Sequence, residues 1–235
     1  MASSVTWCDR ENLFAAAKAR LLPAEVVLDI GCGIQPQEML QPRVHVCCEP
    51  FPPYLKVLAE KSLARIDRNW VLLGATWEKA LDLLPEKSVD TIFLLDVIEH
   101  VERQEGERLL QRTLALARRQ LVIFTPLGFM PQSHPDGTDM WGLGGGSWQE
   151  HKSGWGPEDF REGWEVVASK DFHLVDNMGK ILPEPFGALF AIRTFEEDSK
   201  GDVPDVPLLG LESSAHHAVS RLFRNTRRML RRRLA

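Results

Sequence analysis

The sequence predicts an α/β protein: a doubly wound, mostly parallel sheet of seven strands with an antiparallel last strand and helices on both faces. Three observations predict this class. Short apolar runs alternate with amphipathic stretches through the first 195 of the 235 residues, which is typical of strand, helix, strand units. A turn rich in glycine follows the first apolar run. The last two apolar runs are close together in the chain, which favours an antiparallel pair.

The strands are predicted where apolar, β-branched runs have strand length and turn residues on either side. In order they are Val26–Ile30, Val44–Cys48, Trp70–Leu73, Thr91–Leu95, Leu121–Thr125, Glu165–Ser169 and Ala188–Thr194. A loop containing Pro183 and Pro185 is expected between the last two, because proline cannot donate to a strand ladder.

The helices are predicted where apolar residues recur at helical spacing between these strands. They are Glu11–Leu21, Pro53–Arg65, Trp77–Leu83 and Gln104–Arg119. A further helix is expected directly after the first glycine turn, with Pro36 in its first turn, a position that suits proline.

Three stretches fall outside this alternation. From Pro126 to Pro157 the periodicity disappears among glycine, proline, serine and tryptophan, and such a length predicts either a functional lid or disorder. Residues 196–212 are acidic and hold two prolines, as a linker would. Residues 213–235 predict a basic amphipathic helix. The predicted organisation is therefore a domain over 1–195, a linker and a C-terminal helix.

The charge is uneven along the chain. Seven arginines and no acid lie between His216 and Ala235, which leaves −12 for the rest of a chain whose total is −5. An acidic body argues against a nucleic-acid partner, because phosphate contacts need clustered Lys or Arg. The basic tail suits contact with an anionic membrane surface, packing on the body, or pairing of subunits into a homo-oligomer, and the sequence leaves these open.

Two further patterns bear on the compartment. No apolar stretch approaches the roughly 20 residues of a membrane span, and the first ten residues lack the features of a signal peptide. The four cysteines show neither metal-ligand spacing nor a disulfide framework. A cytoplasmic protein with reduced thiols is expected, with the tail able to place it at the inner face of the membrane.

The stretch from Val26 to Pro36 carries the strongest chemical signal, since a buried strand runs into Gly31-Cys32-Gly33. Glycines at such a turn let the backbone approach a ligand closely. A dinucleotide fingerprint needs a third glycine where this chain has Pro36, which argues against a nucleotide-dependent oxidoreductase. Glu49 ends the next strand, where a carboxylate can accept both hydroxyls of a ribose.

Together these elements resemble the class I methyltransferase family, which has a Rossmann-like fold and uses S-adenosylmethionine. The resemblance continues through Ser88–Phe93, similar to the family's fourth strand, and Leu95–Val101, similar to the segment after it. Trp155–Phe160 is similar to a helix start of its small-molecule members. The matches cover roughly residues 25 to 170 in the right order.

This resemblance implies the positions of the cofactor contacts. Gly31 and Gly33 would line the methionine part, Asp29 would reach its amino group, and Glu49 would hold the ribose. The full set implied is Asp29, Gly31, Cys32, Gly33, Glu49, Pro50, Thr76, Trp77, Asp96 and Val97. One departure is Ala75, where many relatives carry an acid, so backbone groups, Thr76 or Trp77 would have to contact the adenine.

A hydroxyl acceptor would also need a general base, because the oxygen must lose its proton. The candidates are His100 at the end of the fourth strand and His134 and His151 in the irregular stretch. His151 is preferred and His100 is second, because His151 precedes the Trp155–Phe160 motif and should lie over the cofactor.

A metal site is the alternative use of these histidines. Asp96, Glu99 and His100, with His151, resemble the ligands of the small-RNA 3′-end 2′-O-methyltransferases and of some ubiquinone-pathway O-methyltransferases. Such an oxygen and nitrogen set suits Mg, Mn or Zn. In many members without a metal, however, the acid at the position of Glu99 caps the next helix.

The expected function is methylation of an oxygen on a small molecule or saccharide, including a lipid-linked glycan. Trp141, Trp148 and Trp155 recur among glycines, and such flat surfaces suit a sugar or planar ring, although they could equally pack the loop onto the body. Two rivals remain: an RNA 2′-O-methyltransferase with a divalent metal, and a scaffold that keeps the fold without turnover, which Ala75 favours.

Overall fold

The computed structural model describes residues 5–195, which form one eight-stranded sheet in the order β1-β7-β8-β6-β5-β2-β3-β4. The strands are β1 Val5–Trp7, β2 Val26–Ile30, β3 Val44–Cys48, β4 Asn69–Leu73, β5 Val89–Leu95, β6 Ala117–Pro126, β7 Trp164–Val175 and β8 Ile181–Thr194. Only β8 runs antiparallel to its neighbours, β6 and β7. The predicted class, a doubly wound Rossmann-like sheet with an antiparallel last strand, is confirmed.

The sheet has one strand more than the seven predicted. The extra strand, β1, has three residues and pairs in parallel with β7, with Val5 opposite Val166. Three residues are too few to show an alternating pattern, so no periodic signal predicts this strand.

The helices cover both faces of the sheet, as predicted. They are α1 Leu13–Lys18, α2 Pro52–Leu63, α3 Trp77–Leu83 and α4 Arg103–Leu116. Successive side chains of a strand point to opposite faces. Leu28 and Ile30 of β2 therefore pack with α3 and α4, whereas Val27 packs with α1. Each fully buried side chain of this size contributes roughly 1.5–3 kcal/mol.

The prediction of a helix directly after the glycine turn is wrong. Residues 34–43 contain no helix. The backbone there bonds to side chains instead: Gln37 N donates to Asp29 Oδ2 at 2.7 Å, and Leu40 N donates to Gln37 Oε1 at 2.9 Å. These bonds satisfy groups that a helix would otherwise pair, so the proline signal at position 36 is overridden by tertiary contacts.

The prediction of a loop around Pro183 and Pro185 is also wrong, because both prolines lie within β8. The hairpin turns instead near Asp176, whose N–H donates to Lys180 O at 2.8 Å. Pairing between β6 and β8 ends at Ala188, so the prolines lie where β8 pairs with β7 alone. Proline is tolerated in such a stretch, since one side of the strand needs no donor.

The irregular stretch is ordered. The long loop, residues 127–156, holds a single turn of 3₁₀ helix at Gly146–Trp148, and the helix start predicted near Trp155 is one 3₁₀ turn, Pro157–Asp159. In the part of the chain that the structure describes, no helix is long and apolar enough to cross a membrane. The predicted linker, 196–212, and C-terminal helix, 213–235, lie outside the described residues.

Gly106 in α4 offers a test of packing between this helix and the long loop. Alanine usually stabilises a helix relative to glycine by about 0.5–1 kcal/mol. A Cβ at position 106, however, would lie 2.5 Å from Cζ2 of the buried Trp155 ring. Overpacking costs about 1–3 kcal/mol, so we expect Gly106→Ala to lower the free energy of unfolding, measured by urea denaturation.

The control is Gln111→Ala, an exposed substitution on the same helix. It should leave stability within about 0.5 kcal/mol of the wild type. A Gly106→Ala protein more stable than the wild type would contradict the packing described here.

Candidate functional site

A cavity of about 1530 Å³ opens at the carboxyl ends of the parallel strands. In doubly wound sheets this is the edge where ligands bind. Pockets for one small ligand typically measure roughly 300–1,000 Å³. The cavity therefore has room for a nucleoside-sized molecule and a second molecule beside it.

Most residues singled out from the sequence line this cavity. They are Gly31, Cys32, Gly33, Glu49, Pro50, Thr76, Trp77, Asp96, Val97, His100 and His151. Two others are buried behind the lining: Asp29 is 1% exposed and Glu99 is 2% exposed. The topology thus brings together residues that are up to 120 positions apart in the chain.

The glycine turn needs glycine for two separate reasons. Gly31 and Gly33 have φ of +65° and +54°, a region that other residues avoid. A Cβ at position 31 would also lie 2.9 Å from Cγ2 of Val97, and one at position 33 would lie 2.7 Å from Cη2 of Trp141. The turn is therefore enclosed by Val97, two residues after the end of β5, on one side and by the long loop on the other.

Glu49 holds the turn in place. Its Oε2 accepts the Gly33 N–H at 2.9 Å and its Oε1 accepts the Phe51 N–H at 2.8 Å. Burial raises the pKa of Glu49 to about 6, and these two hydrogen bonds limit the rise. A carboxylate has about four acceptor positions, so lone pairs remain on both oxygens. These can accept the two hydroxyls of a ribose, and the cavity-lining position of Glu49 fits that group.

Asp29 does not line the cavity but belongs to a buried polar network. Besides the Gln37 N–H, its Oδ2 faces His45 Nε2 at 3.2 Å, and His45 Nδ1 lies 3.4 Å from Arg68 Nη1. This arrangement fixes the backbone beneath the glycine turn. The contact that the resemblance implies between Asp29 and the cofactor's amino group stays a prediction.

The segment after β4 supplies the remaining wall of the cofactor half. The Ala75 carbonyl accepts from Cys48 Sγ at 3.2 Å, and the ring of Trp77 is buried in the main core cluster. Thr76 is exposed at the cavity and precedes α3. Ala75 offers no side-chain hydrogen-bonding group, so the polar groups of this wall are those of the backbone and of Thr76.

His100 and His151 form a pair across the cavity, with ring centroids 4.9 Å apart. His100 Nδ1 lies 3.1 Å from Glu150 O and His151 Nδ1 lies 2.6 Å from Met130 O. A carbonyl can only accept, so each Nδ1 carries the proton and each Nε2 keeps a free lone pair. Burial lowers the pKa of His100 to about 4, with the charge of His151 adding to it. Burial also lowers the pKa of His151.

Two carboxylates lie beside the histidine pair. Asp96 is exposed at the cavity and has φ +52°, a strained conformation that Asp tolerates better than most residues. Although Asp96 faces the open cavity, the surrounding walls partly desolvate its carboxyl and raise its pKa to about 6. Burial raises the pKa of Glu99 well above its ordinary value, and the charge of Asp96 adds to that rise. Glu99 Oε2 accepts from Thr125 Oγ1 at 3.1 Å, while Glu99 Oε1 is buried without a partner.

The donor atoms of Glu99, His100 and His151 all lie within 4.8 Å of one another. A carboxylate and two imidazoles with free Nε2 atoms form a set that binds Zn, Mn or Fe. Carbonyls that hold each Nδ1 orient such ligands. Of the four residues predicted for a metal, the structure places these three in one cluster, with Asp96 outside it.

The C-terminal part of the long loop, residues 150–156, packs on the turn that follows β5. Glu99 O accepts from Lys152 N at 2.7 Å and from Ser153 N at 3.1 Å. Ile98 O accepts from Trp155 Nε1 at 3.1 Å, and the Trp155 ring is 1% exposed. These bonds place His151 against His100. Trp155 therefore packs the loop onto the body, which was one of the two alternatives for the loop tryptophans.

The middle of the long loop, residues 139–149, contacts α2. Of the residues involved, Tyr54, Asp139 and Gln149 were not identified from the sequence. Tyr54 donates to Asp139 Oδ2 at 2.8 Å and accepts from Gln149 Nε2 at 3.2 Å. Trp141 packs edge-on against the Tyr54 ring, with centroids 4.9 Å apart. Trp141 and Trp148 line the cavity. Apart from the loop's tryptophans, no local pattern marks these residues, because their partners are distant in the chain.

His134 is used structurally. Its Nδ1 lies 2.7 Å from Thr138 O and its Nε2 lies 3.2 Å from Asn177 Nδ2, so both ring nitrogens are engaged. It does not line the cavity, whereas His173 of β7 does. His173 was missed because the predicted strand ended at Ser169, whereas β7 continues to Val175.

Comparison with known proteins supports the fold. No family model matches the chain, and no curated protein matches it. The structure is similar to TehB from Haemophilus influenzae, with a TM-score of 0.53 and 14% identity over 77% of this chain and 61% of that one. It also matches WbdD at 16% identity and TM-score 0.45, covering 77% of this chain.

A third match is magnesium protoporphyrin IX methyltransferase from Synechocystis PCC 6803, solved with bound SAM, at 15% identity and TM-score 0.43, over 78% of this chain and 77% of that one. The chain covers only 38% of WbdD. At 14% identity, the match to TehB shows the fold alone. The sheet order and the antiparallel β8 are those of a doubly wound, Rossmann-like fold.

The protonation of the histidine pair can be measured in the metal-free protein by NMR titration of the ring protons. We expect both residues to titrate below the ordinary pKa of about 6.5, and His100 near 4. Below pH 6.5 the unfolded chain binds protons at these two positions before the folded chain does, so the histidine pair lowers stability as the pH decreases. The raised pKa values of Glu49 and Asp96 act in the opposite direction, so the prediction concerns the ring titrations and not the net stability. Titration of both rings above pH 6.5 would contradict their burial as neutral groups.

Proposed function

We propose that this chain is an S-adenosylmethionine-dependent methyltransferase that methylates an oxygen of a small molecule or saccharide. The observation that best supports this cofactor is the hydrogen bond from Gly33 N–H to Glu49, which joins Glu49 to the Gly31–Gly33 turn at the edge of a large cavity. The fold supports the same class.

The cofactor half of the cavity fits S-adenosylmethionine. Glu49 is already oriented by its two backbone donors, so it can accept the ribose hydroxyls without losing further side-chain freedom. The turn at Gly31 and Gly33 brings backbone close to the methionine part, and Thr76 and the segment around Asp96 and Val97 enclose the remainder. When bound, S-adenosylmethionine supplies a methyl group on a positively charged sulfur.

The histidine pair favours a hydroxyl acceptor. An alcohol or phenol oxygen must lose its proton, and a neutral imidazole with a free Nε2 can take it. His151 and His100 both present such an atom to the cavity. Carbonyl bonds at Nδ1 hold the rings in that tautomer and also stabilise the charge that a ring gains on protonation. We assign His151 as the leading base and His100 as its neighbour.

The acceptor half has aromatic and apolar walls that suit a ring compound. Phe14, Phe124, Met130 and Trp148 line it together with the histidines. These walls favour a small molecule or a saccharide over a nucleic acid, in keeping with the acidic body. A lipid-linked glycan, with the tail at a membrane surface, and assembly into homo-oligomers are hypotheses about residues outside the described part of the chain.

A metal-assisted reaction is the second candidate, and the cluster of Glu99, His100 and His151 is the observation that favours it. Its donor set fits a divalent ion, because Glu99 Oε1 is buried without a partner and the contacts at Nδ1 leave a lone pair on each Nε2. Such an ion would hold the acceptor oxygens. The RNA 2′-O-methyltransferase hypothesis depends on this site.

The cofactor is tested by calorimetric titration with S-adenosylhomocysteine. We expect the wild type to bind it and Glu49→Gln to bind about 10- to 100-fold more weakly, because hydrogen bonds to a charged group are worth about 1.5–3 kcal/mol. Glu165→Gln, an exposed change on β7, is the matched control and should bind like the wild type. A wild type that does not bind would remove the basis of the proposal and favour a scaffold.

The acceptor is tested by following S-adenosylhomocysteine formation with sugars, phenols and RNA, with and without EDTA. We expect turnover with a hydroxylated sugar or phenol, unaffected by EDTA, and a loss of about 100-fold or more in His151→Asn, as for other general bases. Turnover abolished by EDTA and restored by Mn²⁺ would establish the metal candidate instead. No product with any acceptor, despite cofactor binding, would favour the scaffold.

A further inference from the structure

The Trp141 ring lies directly over the glycine turn. Its edge is so close to Gly33 that a Cβ there would be 2.7 Å from Cη2 and 3.1 Å from Cζ3. The ring also lines the same cavity as Gly31, Gly33 and Glu49. A residue 108 positions further along the chain thus forms part of the wall at the centre of the proposed cofactor site.

The main chain at Trp141 is held by one carboxylate. Asp139 accepts hydrogen bonds from the backbone N–H groups of Trp141 at 2.8 Å, Leu143 at 3.0 Å and Gly145 at 2.5 Å, and from the Tyr54 hydroxyl at 2.8 Å. Burial raises the pKa of Asp139, but these bonds outweigh it and lower the pKa below the ordinary value. The carboxylate is therefore ionised at neutral pH, and the backbone around Trp141 is fixed to α2.

The indole side chain is held much less completely. Trp141 Nε1 is buried and has no hydrogen-bond partner. An indole nitrogen is a donor only, and a buried donor without a partner costs roughly 1–3 kcal/mol. Trp155, on the same loop, shows the satisfied case, because its Nε1 donates to Ile98 O at 3.1 Å and to Ser153 Oγ at 3.0 Å. Among the described tryptophans, Trp70 on β4 also has a buried Nε1 without a partner, but Trp141 is the one whose ring lies over the glycine turn.

We propose that Trp141 is a cofactor-contacting residue: its indole turns about the anchored main chain and its N–H donates a hydrogen bond to an oxygen of bound S-adenosylmethionine. This inference rests on the proposed function. By the proposed function, the methionyl carboxylate would lie near Gly33 and the ribose hydroxyls near Glu49, so these oxygens are the candidate acceptors. The long loop then completes the cofactor site with Trp141, while it presents His151 to the acceptor ten residues later.

The test is calorimetric titration of the full chain with S-adenosylhomocysteine and with methylthioadenosine, which keeps the ribose but lacks the amino-acid part. Trp141→Phe retains an aromatic ring and removes the donor. We expect it to weaken S-adenosylhomocysteine binding about 5- to 15-fold, the effect of one lost hydrogen bond. The matched control, Trp7→Phe on β1, lies outside the cavity and should leave binding unchanged.

The two ligands identify the partner oxygen. Weaker binding of S-adenosylhomocysteine alone assigns the methionyl carboxylate, and weaker binding of both ligands assigns the ribose. A Trp141→Phe protein that binds both like the wild type overturns this inference while the proposed function stands. A wild type that binds neither ligand overturns both.

A second measurement does not depend on the variant's stability. In the ¹⁵N-labelled wild type, the indole N–H resonance of Trp141 should shift downfield when S-adenosylhomocysteine is added, because the proton gains an acceptor. An unchanged Trp141 resonance, when other signals of the site move, would overturn the inference.

Discussion

The carboxylate of Glu49 is the constraint on which the site depends. Residues 34–43, directly after the glycine turn, contain no helix, so helical hydrogen bonds do not fix the turn. Its conformation is set instead by Glu49, which accepts from Gly33, and by Asp29 beneath it, which accepts from Gln37. Because Glu49 also accepts from Phe51, one side chain joins the turn after β2 to the start of α2. The cofactor half of the cavity is shaped between these two elements.

The long loop is organised on the same principle, by a few polar groups at its ends. At the front, the Asp139 carboxylate collects donors from the loop and from α2. At the rear, the carbonyls of Ile98 and Glu99 accept from the loop. Between these two anchorages the chain carries Trp141 toward the glycine turn and His151 toward His100. An irregular segment can thus present side chains as reproducibly as a helix does, because its backbone groups are paired.

The sequence was informative wherever a pattern is local. The apolar runs of β2, β3 and β5 predicted strands within about two residues, and parallel topology then placed Glu49 and Asp96 at one edge. Contacts between distant segments have no local sequence pattern that would predict them. Nothing near Tyr54 indicates Asp139, and nothing near Gly33 indicates Trp141. The proline at position 36 predicted a helix on local grounds, but side-chain acceptors satisfied that backbone in another way. The histidine pair was foreseeable as a set of residue types, whereas its fixed tautomers depend on carbonyls of Met130 and Glu150.

The position of the two prolines in β8 also bears on how the molecule behaves in solution. Beyond Ala188 the hairpin of β7 and β8 extends past β6, and β8 is left with one free edge. A free edge normally invites pairing with a strand of another copy, which is a route to aggregation. Pro183 and Pro185 remove two N–H donors from that stretch, so it offers no continuous ladder. The hairpin can therefore contribute His173 to the cavity lining while this edge of β8 discourages pairing with a strand of another copy.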